Sequence, residues 1–253
     1  MKRLLLRADD LGYSEAVNYG IAKTVREGLI RSVGLMPTMP AARHGLALLE
    51  GMDICLGQHT DICIGRPAAD PALIPSLVDE TGMFKSSRVY RAAHARGEDF
   101  VRLEDALTET EAQYALYLDL VGEKPRYFGG HAVASETFFQ ALHIVADRHG
   151  LKNCPPSFAK SGVSIGGKPA CICAMHSMDP DYDPMRCLQE AVAAASETLP
   201  NVYICHPGYL DDFILRHSSL TVNRTREVEM LCSPAVRRWL EEQEVQLITY
   251  DDV

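Results

Sequence analysis

Short apolar runs alternate with amphipathic segments along the whole chain. The first run, RLLLRA, has the length of a strand. In the segment that follows it, Val17, Ile21 and Val25 recur every four positions, which is the spacing of one helix face. A serine suited to cap a helix precedes this segment, and a glycine follows it, where helices commonly end. We therefore predict a strand and then a helix from about Ser14 to Glu27.

The same alternation continues to the end of the chain. Further strand-like runs are IRSVGLMP, DICLGQH, PRYFGGH, ACICAMH, NVYICHPG and VQLITY. Helical segments are AARHGLALLEGM, Leu103–Val121, TFFQALHIVADRHG, MRCLQEAVAAASETL and SPAVRRWLEEQ. Strand–helix alternation is typical of a parallel sheet, and roughly seven such units favour closure into a barrel. We predict the α/β class, with residues 1–253 forming a single domain that is a (β/α) barrel of roughly seven strands.

One long segment, from Thr60 to about Val101, lacks either period and is punctuated by proline and glycine. A connection of this length in a compact domain usually has a function or contains small elements of its own. Because it directly follows a strand, we expect it to form part of the substrate pocket.

Charge and hydropathy exclude several classes of protein. The formal net charge is −9, and no run of Lys and Arg suggests binding to a nucleic-acid backbone. The stretch RTREVEMLCSPAVRRW mixes charges of both signs and is interpreted as an exposed helical surface. No apolar stretch approaches the roughly 20 residues of a membrane helix, and MKRLLL is too short for a signal peptide. A cytoplasmic location without membrane association is predicted.

Cysteine usage agrees with that location. The eight cysteines are scattered, with no Cys-x-x-Cys pair, which argues against a structural zinc site. Several lie inside apolar runs, as expected for buried, reduced thiols in a cytoplasmic protein.

Titratable side chains recur where the predicted strands end. They are the Asp9–Asp10 pair, His59, His131, His176 and His206. Chemistry in parallel α/β folds collects at the carboxyl ends of strands, which converge on one mouth in a barrel. We therefore expect a metal site there, with a spare acid or base. Other histidines fall in loops or helices and are assigned surface or packing roles: His94, His143, His149 and His217.

This set of residue types suits hydrolysis. Two imidazoles and one carboxylate bind a divalent ion and leave positions open for water and substrate. A second carboxylate can take a proton from water, and a further histidine can protonate a leaving group. Since neighbouring side chains on a strand point to opposite sides, we expect Asp9 and Asp10 to divide metal binding and proton transfer between them.

Several motifs resemble those of the YdjC-like (ChbG/HpnK) carbohydrate deacetylases. That family has Asn-Ala-Asp-Asp-Phe-Gly after its first strand, where this chain has RADDLG followed by SEAVNYGI. The family's Gly-Leu-His corresponds to GQH at 57–59, and its His-Pro-Gly to HPGYLD at 206–211. Its C-terminal Arg-Glu-x-Glu corresponds to REVEML, which begins at Arg226. The similarity covers nearly the whole chain.

The resemblance implies a barrel related to the polysaccharide deacetylases and a metal-dependent enzyme that removes acetyl groups from N-acetylated sugars. It implies that Asp10, His59 and His131 bind a divalent cation, Mg²⁺ or Zn²⁺. Asp9 would be the general base and His206 a candidate acid. Association into a homo-oligomer is left open.

The chain departs from the family after His131. Many members have a His-rich Asp-Ser-His-His-His-Val-His stretch where this chain has FGGHAVASE. His131 is retained, whereas Ala132, Val133 and Ser135 stand in place of later family residues that include imidazoles. We expect a substrate preference shifted away from sugars that depend on a His-rich wall.

Four other classes of protein are alternatives. A two-histidine, one-carboxylate set also suits non-haem iron oxygenases, although the strand–helix alternation argues against their usual β-sandwich. A metal-dependent hydrolase of another kind and a catalytically altered sugar-binding barrel are two more; the intact Asp9–Asp10 pair argues against a mere binder. A Ser-His-Asp hydrolase lacks support because no nucleophile elbow is found: the Gly-x-Ser-x-Gly match GVSIG at 162–166 precedes a predicted strand and does not lie between a strand and a helix.

Overall fold

Ten strands and nine helices are present in the computed structural model, which describes residues 1–154 and 163–253. The strands are β1 (Lys2–Leu11), β2 (Ser32–Leu35), β3 (Cys55–Thr60), β4 (Tyr127–Gly130), β5 (Lys152–Asn153), β6 (Ser164–Ile165), β7 (Lys168–Pro169), β8 (Cys171–Ile172), β9 (Pro200–Cys205) and β10 (Val245–Ile248). The helices are α1 (Glu15–Arg26), α2 (Ala42–Leu49), α3 (Ser87–Ala95), α4 (Leu103–Val121), α5 (Glu136–His149), α6 (Pro184–Ala194), α7 (Asp212–His217), α8 (Val222–Cys232) and α9 (Pro234–Glu242).

The main sheet is parallel and centred on β1. Its strand order is β5-β4-β3-β2-β1-β9-β8, and β10 pairs with the first half of β1. Strands β6 and β7 form a separate antiparallel pair. The seven strands predicted from the sequence all belong to the main sheet, to which β5 adds a short eighth. The predicted (β/α) barrel is therefore confirmed, with the sheet curled into a half-barrel and helices packed on it.

The two faces of β1 are buried differently. Leu4, Leu6 and Ala8 belong to an apolar cluster that includes α1, α2, α8 and α9. Leu5 points the other way and packs with residues of β3, β4, β9 and β10 inside the curl. This alternation follows from the two-residue period of a strand. By the same period Arg7 and Asp9 follow Leu5 into the interior, where the site lies.

The long segment after β3 contains small elements, as predicted. It includes a 3-10 turn at Pro71–Leu73, an isolated bridge between Val78 and Phe84, and helix α3. A second apolar cluster joins the segment to α4 and α5 through Ile74, Leu77 and Phe84, among others. The segment is thus packed against the barrel by its own small core.

Two interpretations of the sequence need correction. The run ACICAMH forms a strand only at Cys171–Ile172. The stretch RTREVEMLCSPAVRRW is helical but not wholly exposed: it spans α8 and α9, which Ser233 separates, and Arg224 and Glu227 are buried. No helix in the described ranges is both long and apolar enough to cross a bilayer.

Candidate metal centre

The end of β1 brings both aspartates into the site. Ala8 pairs with Val33 and Leu11 with Leu35, so β1 has one extra residue relative to β2 across this step. Such a bulge redirects a side chain. Asp10 adopts a left-handed backbone with φ of 77°, which aspartate tolerates better than most residues. The expectation that the adjacent carboxylates must diverge is therefore wrong.

Both carboxylates face one imidazole instead. Asp10 Oδ1 lies 3.3 Å from His59 Nε2, whereas Asp9 Oδ2 lies 3.7 Å from His59 Nδ1. The ring of His59 thus stands between the two aspartates, each near a different nitrogen. All three side chains are almost completely buried.

A third strand end completes a close triangle of potential ligand atoms. His131, just after β4, has Nδ1 2.9 Å from Asp10 Oδ1 and 3.2 Å from His59 Nε2. The pairing of His59 with Gly129 and of Thr60 with Gly130 aligns these two strand ends. Asp10, His59 and His131 therefore form a buried group able to hold a metal ion.

The spacing of this triangle fits one divalent cation. Ligand atoms at about 2.1 Å from an ion lie about 3.0 Å apart at a right angle and about 3.4 Å apart at a tetrahedral angle. The three observed separations, 2.9, 3.2 and 3.3 Å, lie within about 0.1 Å of this range. Asp10 Oδ1 is also buried without a well-oriented hydrogen bond from the described residues. A buried carboxylate oxygen left in this state is suited to bind a cation.

Asp9 is held by an arginine on the same face of β1. Arg7 Nη2 donates to Asp9 Oδ2 at 2.6 Å, and Arg7 Nη1 donates to the Tyr250 hydroxyl at 2.9 Å. The other oxygen, Asp9 Oδ1, is buried with no hydrogen-bond partner in the described part of the chain. A Cβ at Gly34 would lie 2.7 Å from this oxygen, so glycine is needed to leave room for it.

His206 follows β9 beside the aspartates. Cys205 pairs with Ala8, so His206 lies next to Asp9 in the register of the sheet. Its ring nitrogen Nδ1 is buried without a hydrogen-bond partner among the described residues. Burial lowers the pKa of His206 to about 4, so the imidazole is neutral at neutral pH.

Sequence reasoning missed a buried arginine on α8. Arg224 Nη2 donates to Asp10 Oδ2 at 2.7 Å. The arginine shares a helix face with Glu227, Val228 and Leu231, and all four are buried. Positions three, four and seven residues apart lie on one face of a helix, so the apolar residues at 228 and 231 indicate that Arg224 points inward. The mixed charges of the stretch concealed this pattern.

Electrostatics keep Asp10 ionised. Burial alone would raise the pKa of Asp10, but the His131 imidazole and the Arg224 guanidinium lower it well below its ordinary value. Burial is the largest influence on His131 and lowers its pKa, but the charge and hydrogen bond of Asp10 together with the charge of Asp61 outweigh it, and the net shift is upward. An ionised carboxylate is the form that binds a cation.

A neighbouring group of potential ligands, Asp61, Cys63 and His131, is already engaged. Asp61 Oδ1 accepts from the Cys63 backbone N–H at 2.9 Å, and Oδ2 accepts from that of Ile64 at 3.3 Å. Gln113 on α4 fixes the backbone of Asp61. Asp61 thus shapes the loop after β3.

His176 does not join the other strand-end residues. Its side chain is 43% exposed and pairs with Asp179 at 2.9 Å, four residues past the end of β8. It lines a groove of about 350 Å³ whose lining includes none of the other predicted site residues. The short β8 explains why this residue lies apart.

Two of the three residues that stand in place of the family's His-rich stretch after His131 are buried. Val133 is buried in the core beneath the long segment. Ser135 is the N-cap of α5: its hydroxyl accepts from the Phe138 N–H and donates to Asp99. Only Ala132 of the three is exposed. Val133 and Ser135 therefore serve packing and helix capping, and the expected shift in substrate preference stays a prediction.

The fold and the cluster define a curled α/β barrel with a His-His-Asp site at its strand ends. The family model described as YdjC-like protein matches residues 3–242, and the chain belongs to that family. This confirms the resemblance found in the motifs.

Named relatives align with this chain from end to end. Carbohydrate deacetylase 2 of Listeria innocua is 28% identical, and the alignment covers 99% of this chain and 98% of the relative. A carbohydrate deacetylase of Geobacillus stearothermophilus is 29% identical, and the alignment covers 97% of this chain and 96% of the relative.

Solved structures share the fold. An Enterococcus faecalis protein described as a cellobiose-phosphate cleavage protein has a TM-score of 0.83 at 23% identity, covering 99% of this chain and 98% of that one. A family 4 acetyl xylan esterase from Clostridium thermocellum, in complex with a cobalt ion, has a TM-score of 0.53 at 9% identity. It covers 99% of this chain and 89% of the esterase chain.

Proposed function

We propose that this protein is a metal-dependent carbohydrate N-deacetylase, which hydrolyses the acetamido group of an N-acetylated sugar. One observation carries the proposal: three ligand atoms converge at strand ends, next to a second buried carboxylate. A site that only bound sugar would not need this arrangement. The names of the full-length relatives support the same reaction.

The ligand set in this proposal is Asp10, His59 and His131, holding one divalent cation, Mg²⁺ or Zn²⁺. The cation would lower the pKa of water and polarise the amide carbonyl. Asp9 Oδ2 lies 3.7 Å from the far nitrogen of His59, Nδ1, which has no hydrogen-bond partner among the described residues, and a hydrogen bond between the two would orient the ligand ring. Because Arg224 donates a hydrogen bond to Asp10 Oδ2, the other oxygen, Oδ1, is the one that faces the two imidazoles.

Asp9 is the proposed general base. Arg7 engages only Oδ2, so the unpartnered Oδ1 is available to take a proton from the attacking water. His206 is the proposed acid for the departing amine. Its neutral imidazole would receive the proton that Asp9 takes from the attacking water and pass it to the departing amine.

The long segment 60–101 is proposed to form one side of the substrate pocket. Support comes from its attachment directly after His59 and from its packing under α5, which begins just after His131. Asp99 binds the N-cap of α5 and so ties the segment to this side of the site.

The remaining expectations belong to the same proposal. Residues 1–253 would act as a single YdjC-like deacetylase domain, consistent with the long match to the family model. A cytoplasmic location is supported by the eight free cysteines.

Acetate release from a panel of N-acetylated mono- and oligosaccharides, with Mg²⁺, Zn²⁺ or Co²⁺ added, tests the proposal. We expect release from at least one sugar and its loss in Asp9→Asn. His176→Ala is the matched control, since this exposed histidine should leave turnover unchanged. Sugar binding without acetate release by the wild type would favour the altered sugar-binding barrel instead.

A further inference from the structure

We propose that helix α8 positions the active site through two buried side chains. Glu227 accepts a hydrogen bond from the backbone N–H of His206, and Arg224 donates to its carbonyl. Arg224 also donates to Asp10 and so links the two residues. The inference rests on the proposed function, because it assigns positioning residues for that reaction. Both side chains are buried and lie one helical turn apart.

Glu227 holds the amide side of His206. Its Oε2 accepts from the His206 backbone N–H at 2.5 Å, and its Oε1 accepts from the Tyr182 hydroxyl at 2.7 Å. The carboxylate is thus fixed at both oxygens. It lies just beyond the end of β9, where sheet pairing no longer restrains the chain.

Arg224 holds the carbonyl side. Its Nη1 donates to the His206 carbonyl at 3.4 Å, and its Nη2 donates to Asp10 Oδ2 at 2.7 Å. Its Nε donates to the Leu220 carbonyl at 3.0 Å, which fixes the guanidinium plane. One planar group therefore links the carboxylate proposed to bind the cation with the residue proposed as the acid.

The surroundings leave this linkage little freedom. The Arg224 guanidinium lies 5.5 Å from the centre of the Tyr13 ring, and that ring contacts His131 edge-on. On the other side, a Cβ at Gly20 of α1 would lie 2.5 Å from the Gly208 Cα. The loop after His206 is therefore packed closely between α1 and α8. A shift of α8 would move His206 relative to Asp10.

This geometry predicts that the loss of Glu227 lowers turnover without weakening the binding of cation or substrate. Glu227 contacts neither Asp10 nor the imidazoles of the triangle in the described structure. Its loss should misplace His206 while leaving cation and substrate binding intact. Misplacement of a reacting group by about 1 Å can cost about 100-fold in rate.

The test compares Glu227→Ala and Glu227→Gln, with Glu229→Ala as the matched control. Glu229 is an exposed glutamate on the same helix. Steady-state kinetics of acetate release would be measured at saturating Zn²⁺, with cation affinity measured by calorimetry. We expect Glu227→Ala to lower kcat by about 10- to 100-fold with KM and cation affinity within about twofold. Glu227→Gln keeps an acceptor for the His206 N–H and should recover most of kcat.

A second measurement does not need turnover. Protein labelled with ¹⁵N-histidine has nine backbone amide signals, and His206→Gln identifies that of His206. The His206 amide should exchange slowly in the wild type and in Glu229→Ala, and faster in Glu227→Ala. If Glu227→Ala does not fold, Tyr182→Phe removes only the hydroxyl that fixes Glu227, and it should lower kcat several-fold at constant KM.

The outcomes separate this inference from the proposed function. Absence of acetate release by the wild type contradicts the proposed function, and amide exchange still tests the positioning. A folded Glu227→Ala with normal kcat, or a slow His206 amide in that variant, would overturn the inference. Reduced stability alone, with kcat per folded molecule unchanged, would assign Glu227 a purely structural role.

Discussion

Replacing Asp9 by asparagine should separate proton transfer from cation binding. Asparagine has nearly the same shape and keeps one oxygen, but it cannot take a proton at neutral pH. Asp9 Oδ1 has no partner among the described residues, so its proposed part is the chemistry. Loss of a general base costs about 100- to 10,000-fold in kcat, or about 2.7 to 5.5 kcal/mol of transition-state stabilisation.

The same substitution also disturbs a buried ion pair. Arg7 and Asp9 side chains are only 4% and 2% exposed, and their atoms approach to 2.6 Å. Removal of one partner from such a pair costs about 3 to 5 kcal/mol of folding stability, and asparagine should cost less because it still accepts a hydrogen bond. Activity must therefore be expressed per folded, cation-loaded molecule.

Arg7→Gln is the matched comparison, since it breaks the same pair and leaves the carboxylate in place. Acetate release and bound cation would be measured for both variants, with urea unfolding as the stability assay. We expect Asp9→Asn to lose no more stability than Arg7→Gln but to lose at least tenfold more turnover. Equal losses of turnover would refute the role of Asp9 as base. Loss of cation in Asp9→Asn, with retention in Asp10→Asn, would show that the two roles are reversed.

Three further predictions concern packing, pH and the substrate pocket. Gly57→Ala would set a Cβ 2.3 Å from the Tyr127 ring, which stacks on Tyr250, so urea unfolding should show a loss of about 1 to 3 kcal/mol or more; unchanged stability would contradict the packing. Burial raises the pKa of Glu109 from 4.5 to about 7, so its stabilising contribution is present below pH 4.5 and is lost as pH rises through 7. Glu109→Gln should flatten that fall in the free energy of unfolding, and an unchanged slope would count against the assignment. A bound acetylated sugar should slow proteolysis within residues 60–101; equal cleavage at saturating sugar would remove the segment from the pocket.

The sequence was a good guide to features that depend on local periodicity. The alternation of strands and helices predicts the barrel, and the shared position of Asp10, His59 and His131 at strand ends predicts their convergence. Both inferences rest on the fact that parallel strands end at one edge of a sheet. The same reasoning gives a wrong prediction for His176, because β8 is only two residues long and the chain then turns to the surface.

Other features depend on long-range contacts or on backbone irregularity. The strand period sends Asp9 and Asp10 to opposite sides, but a bulge and one left-handed residue bring both to His59. The bulge has no signature in the residues themselves, and the left-handed position falls on Asp10, a weaker signal than a glycine would have been. Arg224 lies 214 positions from its partner Asp10, and its charge suggested an exposed position. Only its alignment with buried apolar residues on α8 indicated that it points inward.

Cation content measured beside acetate release tests the central claim most directly. The protein would be stripped with chelator, analysed for metals, and titrated with one divalent cation while acetate release from an N-acetylated sugar is followed. We predict that one equivalent binds and restores activity, and that Asp10→Asn, His59→Ala and His131→Ala each lose the bound ion. Full activity after exhaustive removal of metal would contradict the account.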